Sequence, residues 1–206
     1  MPFSGACVQK ASSSPMDVFS AWYSEMLQAT ESHMGEPAAM VLATCDVQGK
    51  PSARVVLLKK YGKLGFEFFT NFESRKGKEI AGNPNVALVF DWRHMGRQVR
   101  VEGSAVPLSA SESDAYHASR SRESRIGALC SKQSMVLNSR EELLAQFNCM
   151  LREFEGKEIP RPEYWGGIRV VPRMVEFWEE GEHRLHSRKQ YSMGDDGAWS
   201  CAELYP

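Results

Sequence analysis

The sequence predicts a mainly β fold, an antiparallel barrel with helices set around it, on three observations. Runs rich in Val, Ile, Phe and Thr are short and are separated by turn-forming residues, giving about six or seven strands at close spacing. Strand-helix-strand alternation dominates nowhere, which argues against a doubly wound parallel sheet. Neither a G-x-G-x-x-G nor a Walker pattern occurs among the 206 residues, so the nucleotide sites those motifs mark are not expected.

The elements follow in order. Residues 1–13 are expected to be a flexible tail and residues 14–206 a single domain. Ser14 is placed as a helix N-cap, Pro15 at the first helical position and Asp17 in the first turn. Phe19, Trp22, Tyr23, Met26 and Leu27 then recur at helical spacing, so an amphipathic helix turns an aromatic stripe to the core. The strand-like runs AAMVLATC, PSARVVLLKK and FEFFT come next, divided by DVQGK and YGKLG, and read as a meander of hairpins. After Asn71 a short helix, SRKGKEIAG, stops at an Asn-Pro pair. NVALVFDW and RQVRVEGSAVPL form a hairpin across RHMG, with Val99 and Val101 on one face and Gln98, Arg100 and Glu102 on the other.

SASESDAYHASRSRESRIGALC reads as one helix capped near Ser109 or Ser111. SREELLAQFNCMLREFEG reads as another, with Leu143, Leu144, Phe147, Met150, Leu151 and Phe154 on one side. A Pro-rich connector, IPRPEYWGG, leads to a hairpin of IRVVPRMVEFWEEG and HRLHSRKQYS and a closing strand in AWSCAELYP.

Composition narrows the function. Lys and Arg number 25 against 26 Asp and Glu, so no global field recruits nucleic acid or an anionic membrane, and any anion site must be local. The five cysteines are odd in number, scattered and without C-x-x-C spacing, which argues against a disulfide framework or a metal site and for a reducing compartment. No apolar run approaches membrane-spanning length, and a cytoplasmic protein is expected.

Three groups of residues point to chemistry. Arg75 and Lys76 open the short helix after Phe69 and Thr70. Free amide groups and the dipole favour an anion there, while cations at that end do nothing for the helix itself, so a phosphate site is expected. Tyr116, Arg120 and Ser124 are spaced four and four, in line along one helical face, and all donate hydrogen bonds. Lys59 either joins them or is a strand-end charge. Arg184, His186 and Arg188 alternate in HRLHSRKQ, which on a strand puts all three on one face. That alternation alone also fits a solvated sheet edge.

ARVVLLKKYGKLGFEFFTNFESRKGKEI, RQVRVEG, YHASRSRES, KQS, WGG, VEFW and RLHSR, in this order, resemble the pyridoxine/pyridoxamine 5'-phosphate oxidase family across roughly residues 15 to 190. The resemblance implies an FMN-binding split β-barrel, a homodimer with two flavins in the subunit interface, and a C-terminal dimerisation segment at about 164–206. It implies that Arg54, Val55, Val56, Leu57, Phe69, Thr70, Arg75, Lys76, Gln98, Gln133, Ser134, Trp178 and Arg188 contact FMN. It places Lys59, Tyr116, Arg120 and Ser124 on the substrate phosphate, and Arg184, Leu185 and His186 at the pyridine ring, with Arg184 and His186 as the catalytic candidates. The reaction so implied passes hydride from the C4' carbon of pyridoxine 5'-phosphate or pyridoxamine 5'-phosphate to flavin N5, and O2 reoxidises the flavin to give H2O2. Two departures stand out: Glu203 where the family usually has a basic residue, and Ser187 where it usually has Asp. A phenazine-type flavin oxidase and a non-catalytic flavin or pyridoxal phosphate carrier are the alternatives.

Overall fold

The computed structural model describes residues 9–11, 14–29 and 36–206. The first helix, α1 (Pro15–Ala29), starts where the sequence places it, with the Met16 amide donating to Ser14 Oγ at 3.2 Å. Its Phe19 is fully buried and meets Tyr61, Phe66 and Phe90 edge-on with centroids 4.9–5.0 Å apart. Leu27 is instead 53% exposed, so the apolar stripe is narrower than its spacing suggested.

All pairings in the sheet are antiparallel. Its strands are β1 (Gln9–Lys10), β2 (Ala39–Cys45), β3 (Pro51–Leu57), β4 (Lys60–Gly62), β5 (Gly65–Asn71), β6 (Asn85–Trp92), β7 (Arg97–Pro107), β8 (Trp165–Glu179), β9 (Ser187–Met193) and β10 (Trp199–Glu203). Their order is β1-β10-β9-β8-β7-β6-β2-β3, with β5 also on β8 and β4 on β5. The long β8 therefore changes partner along its length: residues 165–170 pair with β5 and residues 174–179 with β9. The change falls at Pro172, which has no amide to give a ladder, and the β7–β8 register shifts between Glu102 and Gly103. Gly103 lies so close that a Cβ there would sit 2.2 Å from the Val171 carbonyl oxygen. At that bend one strand serves two halves of the curled sheet, which is the expected split barrel.

Alternation along the strands fills the interior. Leu42, Leu88, Phe90, Val99, Val101, Val170 and Val175 are fully buried, and the hydrophobic effect over this cluster is the main stabilising contribution. A satellite core forms where α4 (Arg122–Cys130) meets α5 (Arg140–Glu153): Ile126, Cys130 and Ile159 are buried against Leu143, Phe147, Met150, Leu151 and Phe154. Leu144, expected on that face, is 49% exposed.

Four expectations are corrected. The helix read through SASESDAYHASRSRESRIGALC is two, α3 (Ala110–Ser119) and α4, broken at Arg120, whose φ −77° and ψ 155° are extended. Serines make the break: Ser119 Oγ donates to the Tyr116 carbonyl at 2.8 Å, and Ser121 Oγ caps the next helix by accepting from the Ser124 amide at 3.2 Å. The strand expected through HRLHSRKQ begins only at Ser187, because residues 182–184 form a 3-10 turn with His183 and Arg184 at positive φ. Trp165, Gly166 and Gly167 belong to β8, not to the connector. Gln9 and Lys10, expected in a loose tail, pair with Cys201 and Ser200; residues 1–8, 12 and 13, with Cys7, lie outside the described residues. Among the described residues Cys45, Cys130, Cys149 and Cys201 are free, and no helix is long and apolar enough to cross a membrane.

Candidate functional site

The helix α2 (Arg75–Gly82) opens at Ser74, whose Oγ accepts from the Gly77 amide at 3.3 Å. Gly77 is needed there because a Cβ would fall 2.2 Å from the Phe72 carbonyl oxygen, so the helix start is pressed against the end of β5. That contact delivers Lys76 to Thr70. Lys76 Nζ donates to Thr70 Oγ1 at 3.2 Å and to Gln133 Oε1 at 2.8 Å, and Thr70 Oγ1 donates to the same Gln133 oxygen at 3.3 Å. Three expected cofactor residues, from a strand, a helix and the loop after α4, thus converge. Burial, and then the neighbouring Arg54, pull the Lys76 ammonium below its ordinary pKa, with Glu79 opposing.

Arg54 and Arg75 converge on Glu79, which the sequence reading missed. Its carboxylate accepts from Thr44 at 2.5 Å, Ser52 at 2.6 Å, Arg75 at 2.8 Å and Arg54 at 3.2 Å, and Arg54 also donates to Ser52. Burial alone would raise the Glu79 pKa; hydrogen bonds from Ser52, Thr44 and Arg75, and the Arg75 charge, outweigh it and hold the group at about 2. The signal was present as an acid four residues after Arg75, ion-pairing distance on a helix. Val55 and Leu57, flanking on β3, are 64% and 39% exposed, while Val56 packs on the core.

Across the sheet, Gln98, Trp178 and Arg188 are register partners on β7, β8 and β9 and so form one lateral row. Arg188 is held by Glu176, Nε to Oε1 at 2.8 Å and Nη2 to Oε2 at 3.2 Å, and its Nη1 donates to the Tyr205 carbonyl at 2.9 Å. Glu176, 3% exposed, also pairs with Arg100 at 3.1 Å. It was missed too, though a lone acid inside the apolar VEFW run is the mark of a buried ion pair. Arg184, His186 and Arg188 do not share a strand face, since only Arg188 is on β9. His186 lies on Trp178 with ring centroids 4.6 Å apart, and Arg184 and Leu185 are exposed on the turn.

The third group centres on Trp165. Tyr116 stacks on Phe69 at 3.7 Å, Phe69 on Trp165 at 5.5 Å, and the Arg120 guanidinium lies 4.6 Å above the Trp165 ring. The helix break that spoils the expected Tyr116-Arg120-Ser124 line is what turns Arg120 onto this ring. One Arg120 Nη1 is buried without a hydrogen-bond partner, as are His117 Nε2 and Arg125 Nε. Burial lowers the Arg120 pKa and raises that of Tyr116, so an anion would favour the first and accept a hydrogen bond from the second. Ser124 lies in the first turn of α4 with its Oγ accepting from Ser121 at 3.0 Å. The Lys59 side chain is exposed, and among the described residues no hydrogen bond joins it to Tyr116, Arg120 or Ser124. Ser134 sits beside Gln133 at φ 73°.

Residues 26–148 match the sequence model of pyridoxamine 5'-phosphate oxidase, and residues 165–206 that of the pyridoxine 5'-phosphate oxidase C-terminal dimerisation region. The chain is 73% identical over 206 residues, all of it and 94% of the relative, to a pyridoxine/pyridoxamine 5'-phosphate oxidase of Anaplasma marginale. It is 60% identical over 202 residues, 98% of the chain and 97% of the relative, to that of Anaplasma phagocytophilum. Among solved structures, PhzG from Burkholderia lata, in complex with tetrahydrophenazine-1-carboxylic acid, aligns with TM-score 0.88 and 33% identity over 94% of this chain and 93% of that one. A pyridoxamine 5'-phosphate oxidase-related, FMN-binding protein from Nostoc punctiforme shares the fold at TM-score 0.75 and 16% identity, over 95% of this chain and all of that one.

Proposed function

The chain belongs to the pyridoxine/pyridoxamine 5'-phosphate oxidase family, whose members depend on FMN, and on that premise we propose that it loads FMN and oxidises pyridoxine 5'-phosphate and pyridoxamine 5'-phosphate to pyridoxal 5'-phosphate. The observation that carries this is a pair of separate clusters of cationic and hydrogen-bonding groups: Lys76, Thr70 and Gln133 beside Arg54 and Arg75 at the opening of α2, and Arg120 with an unpaired buried Nη1 above Trp165. One suits the cofactor phosphate and the other the substrate phosphate.

The residues present fit FMN. Arg75, 64% exposed although paired, and Lys76 supply charge to a phosphate, with Gln133 and Ser134 beside them. Val55 and Leu57 offer exposed apolar surface and Gln98, Trp178 and Arg188 a polar-aromatic row to a planar ring. Arg54, Val56, Phe69 and Thr70 complete the cofactor set. FMN, once bound, supplies the acceptor for hydride from the substrate C4' carbon and the route of those electrons to O2, giving H2O2. What this chain's own residues do is position. Tyr116, Arg120, Lys59 and Ser124 hold the substrate phosphate, and Arg184, Leu185 and His186 fix the pyridine ring. Orientation of this kind lowers a barrier by about 7–11 kcal/mol.

A homodimer fits the match of residues 165–206 to a dimerisation region and the exposed Val55 and Leu57 on the last strand of the sheet order. The TM-score of 0.88 to PhzG keeps a second reading in view, oxidation of a tetrahydrophenazine carboxylate. One assay decides: protein reconstituted with FMN, given pyridoxine 5'-phosphate, pyridoxamine 5'-phosphate or tetrahydrophenazine-1-carboxylic acid, followed for aldehyde and peroxide. Aldehyde from either B6 phosphate is expected. Turnover of the phenazine compound alone, or a yellow protein that turns over nothing, would replace the proposal by the phenazine or the carrier reading.

A further inference from the structure

Building on His186 as a substrate-ring contact, we infer that Gly181 and His186 form a latch that holds the imidazole as its Nε2–H tautomer, so that His186 meets the substrate as a hydrogen-bond donor and not as a proton acceptor. The Gly181 backbone N–H donates to His186 Nδ1 at 3.2 Å. A backbone amide has no lone pair to offer in return, so Nδ1 is the unprotonated nitrogen, and in the neutral ring the proton lies on Nε2. Moving that proton to Nδ1 would set two N–H groups against each other and lose the bond.

The turn is shaped around this contact. A Cβ on Gly181 would fall 2.2 Å from the Leu185 carbonyl oxygen, so only glycine lets residue 181 lie this close to the segment that carries His186. The Leu185 amide donates to the Glu182 carbonyl at 2.9 Å, and two consecutive non-glycine residues, His183 at φ 54° and Arg184 at φ 66°, take left-handed conformations to close the loop. Trp178 packs against the ring, 4.6 Å between centroids and tilted by 43°. With Nδ1 engaged, Nε2 is the nitrogen left for a ligand, and it presents a hydrogen. A general base would need a lone pair there. The latch therefore selects a substrate ring that offers an acceptor atom to Nε2, and makes Gly181 a positioning residue that never touches substrate.

The test is a nitrogen spectrum of FMN-loaded protein labelled with 15N-histidine, with the His186 signals assigned by their loss in His186→Asn. A neutral ring with Nε2 protonated and Nδ1 bare is expected at neutral pH, with and without pyridoxal 5'-phosphate. A Nδ1-protonated or doubly protonated ring overturns the latch. Gly181→Ala should scramble the single-tautomer pattern and raise KM for pyridoxine 5'-phosphate about tenfold at unchanged flavin content, the scale of one lost hydrogen bond. A variant that keeps both the wild-type spectrum and the wild-type KM also overturns it, and if the variant does not fold the wild-type spectrum decides alone. Since the spectrum needs no turnover, a latched protein inert towards pyridoxine 5'-phosphate would remove the oxidase reading and leave the tautomer standing.

Discussion

Replacing Glu79 by Gln removes the charge around which Arg54 and Arg75 are gathered while keeping the side chain's size. Glu79 is 7% exposed and accepts four hydrogen bonds, from Thr44, Ser52, Arg54 and Arg75. The Arg75 pair contributes little, since that side chain is 64% exposed and an exposed pair stabilises by at most about 1 kcal/mol. Arg54 is different: at 21% exposure it would keep its charge beside two hydroxyls without a counter-ion, a loss on the order of 1.5–3 kcal/mol. A total of about 3 kcal/mol at pH 7 corresponds to a Tm lowered by roughly 6–12 °C for a domain of this size. The pH dependence is the sharper readout. Glu79 is held at about 2 against an ordinary 4.5, so its stabilisation is fully present above about pH 4.5 and is lost as pH falls towards 2. Melting of both proteins at fixed FMN should therefore show a gap that is constant from pH 7 to 5 and closes below 4.5. A gap unchanged at pH 3, or under about 2 °C at pH 7, would refute a charged Glu79 as the anchor.

Arg188→Ala should purify pale and recover flavin in excess FMN, and it should also melt lower, because buried Glu176 is left with Arg100 alone; flavin titration and calorimetry check the two losses separately. Deleting residues 204–206 removes the Leu204 amide to Arg188 carbonyl bond at 2.9 Å and the Arg188 to Tyr205 carbonyl bond, and should weaken FMN binding by a smaller factor, about five- to tenfold, measured by fluorescence quenching. Glu203→Arg sets a cation opposite Lys189 in the β9–β10 ladder and should cost about 0.2–1 kcal/mol of stability with turnover unchanged, read by thermal melting. Arg120→Ala should raise KM for pyridoxine 5'-phosphate at least tenfold with flavin retained; an unchanged KM would place the substrate phosphate elsewhere.

The sequence by itself determined the elements with strong local signals and the placing of two cations at the opening of α2. Ser14, Pro15 and Asp17 mark a helix start, the Val99–Val101 alternation marks a strand face, and Arg75 with Lys76 fall at a helix opening, because each depends on neighbours within a turn or two. The motif order added the cofactor class, which spacing could not supply. Only the tertiary structure decided what depends on contacts far apart in the chain. Glu79 gathers Arg54 from a strand 25 residues away, and Glu176 joins Arg100, 76 residues away, to Arg188. Burial of the acid could be read from its apolar neighbours, but which arginines it gathers leaves no periodic trace, since those partners alone read as surface charges. The break at Arg120 and the turn at residues 182–184 escaped for a related reason. Serines can serve a helix interior or a cap, alternating charges can sit on a strand or a turn, and packing against Trp165 and Trp178 selects between them.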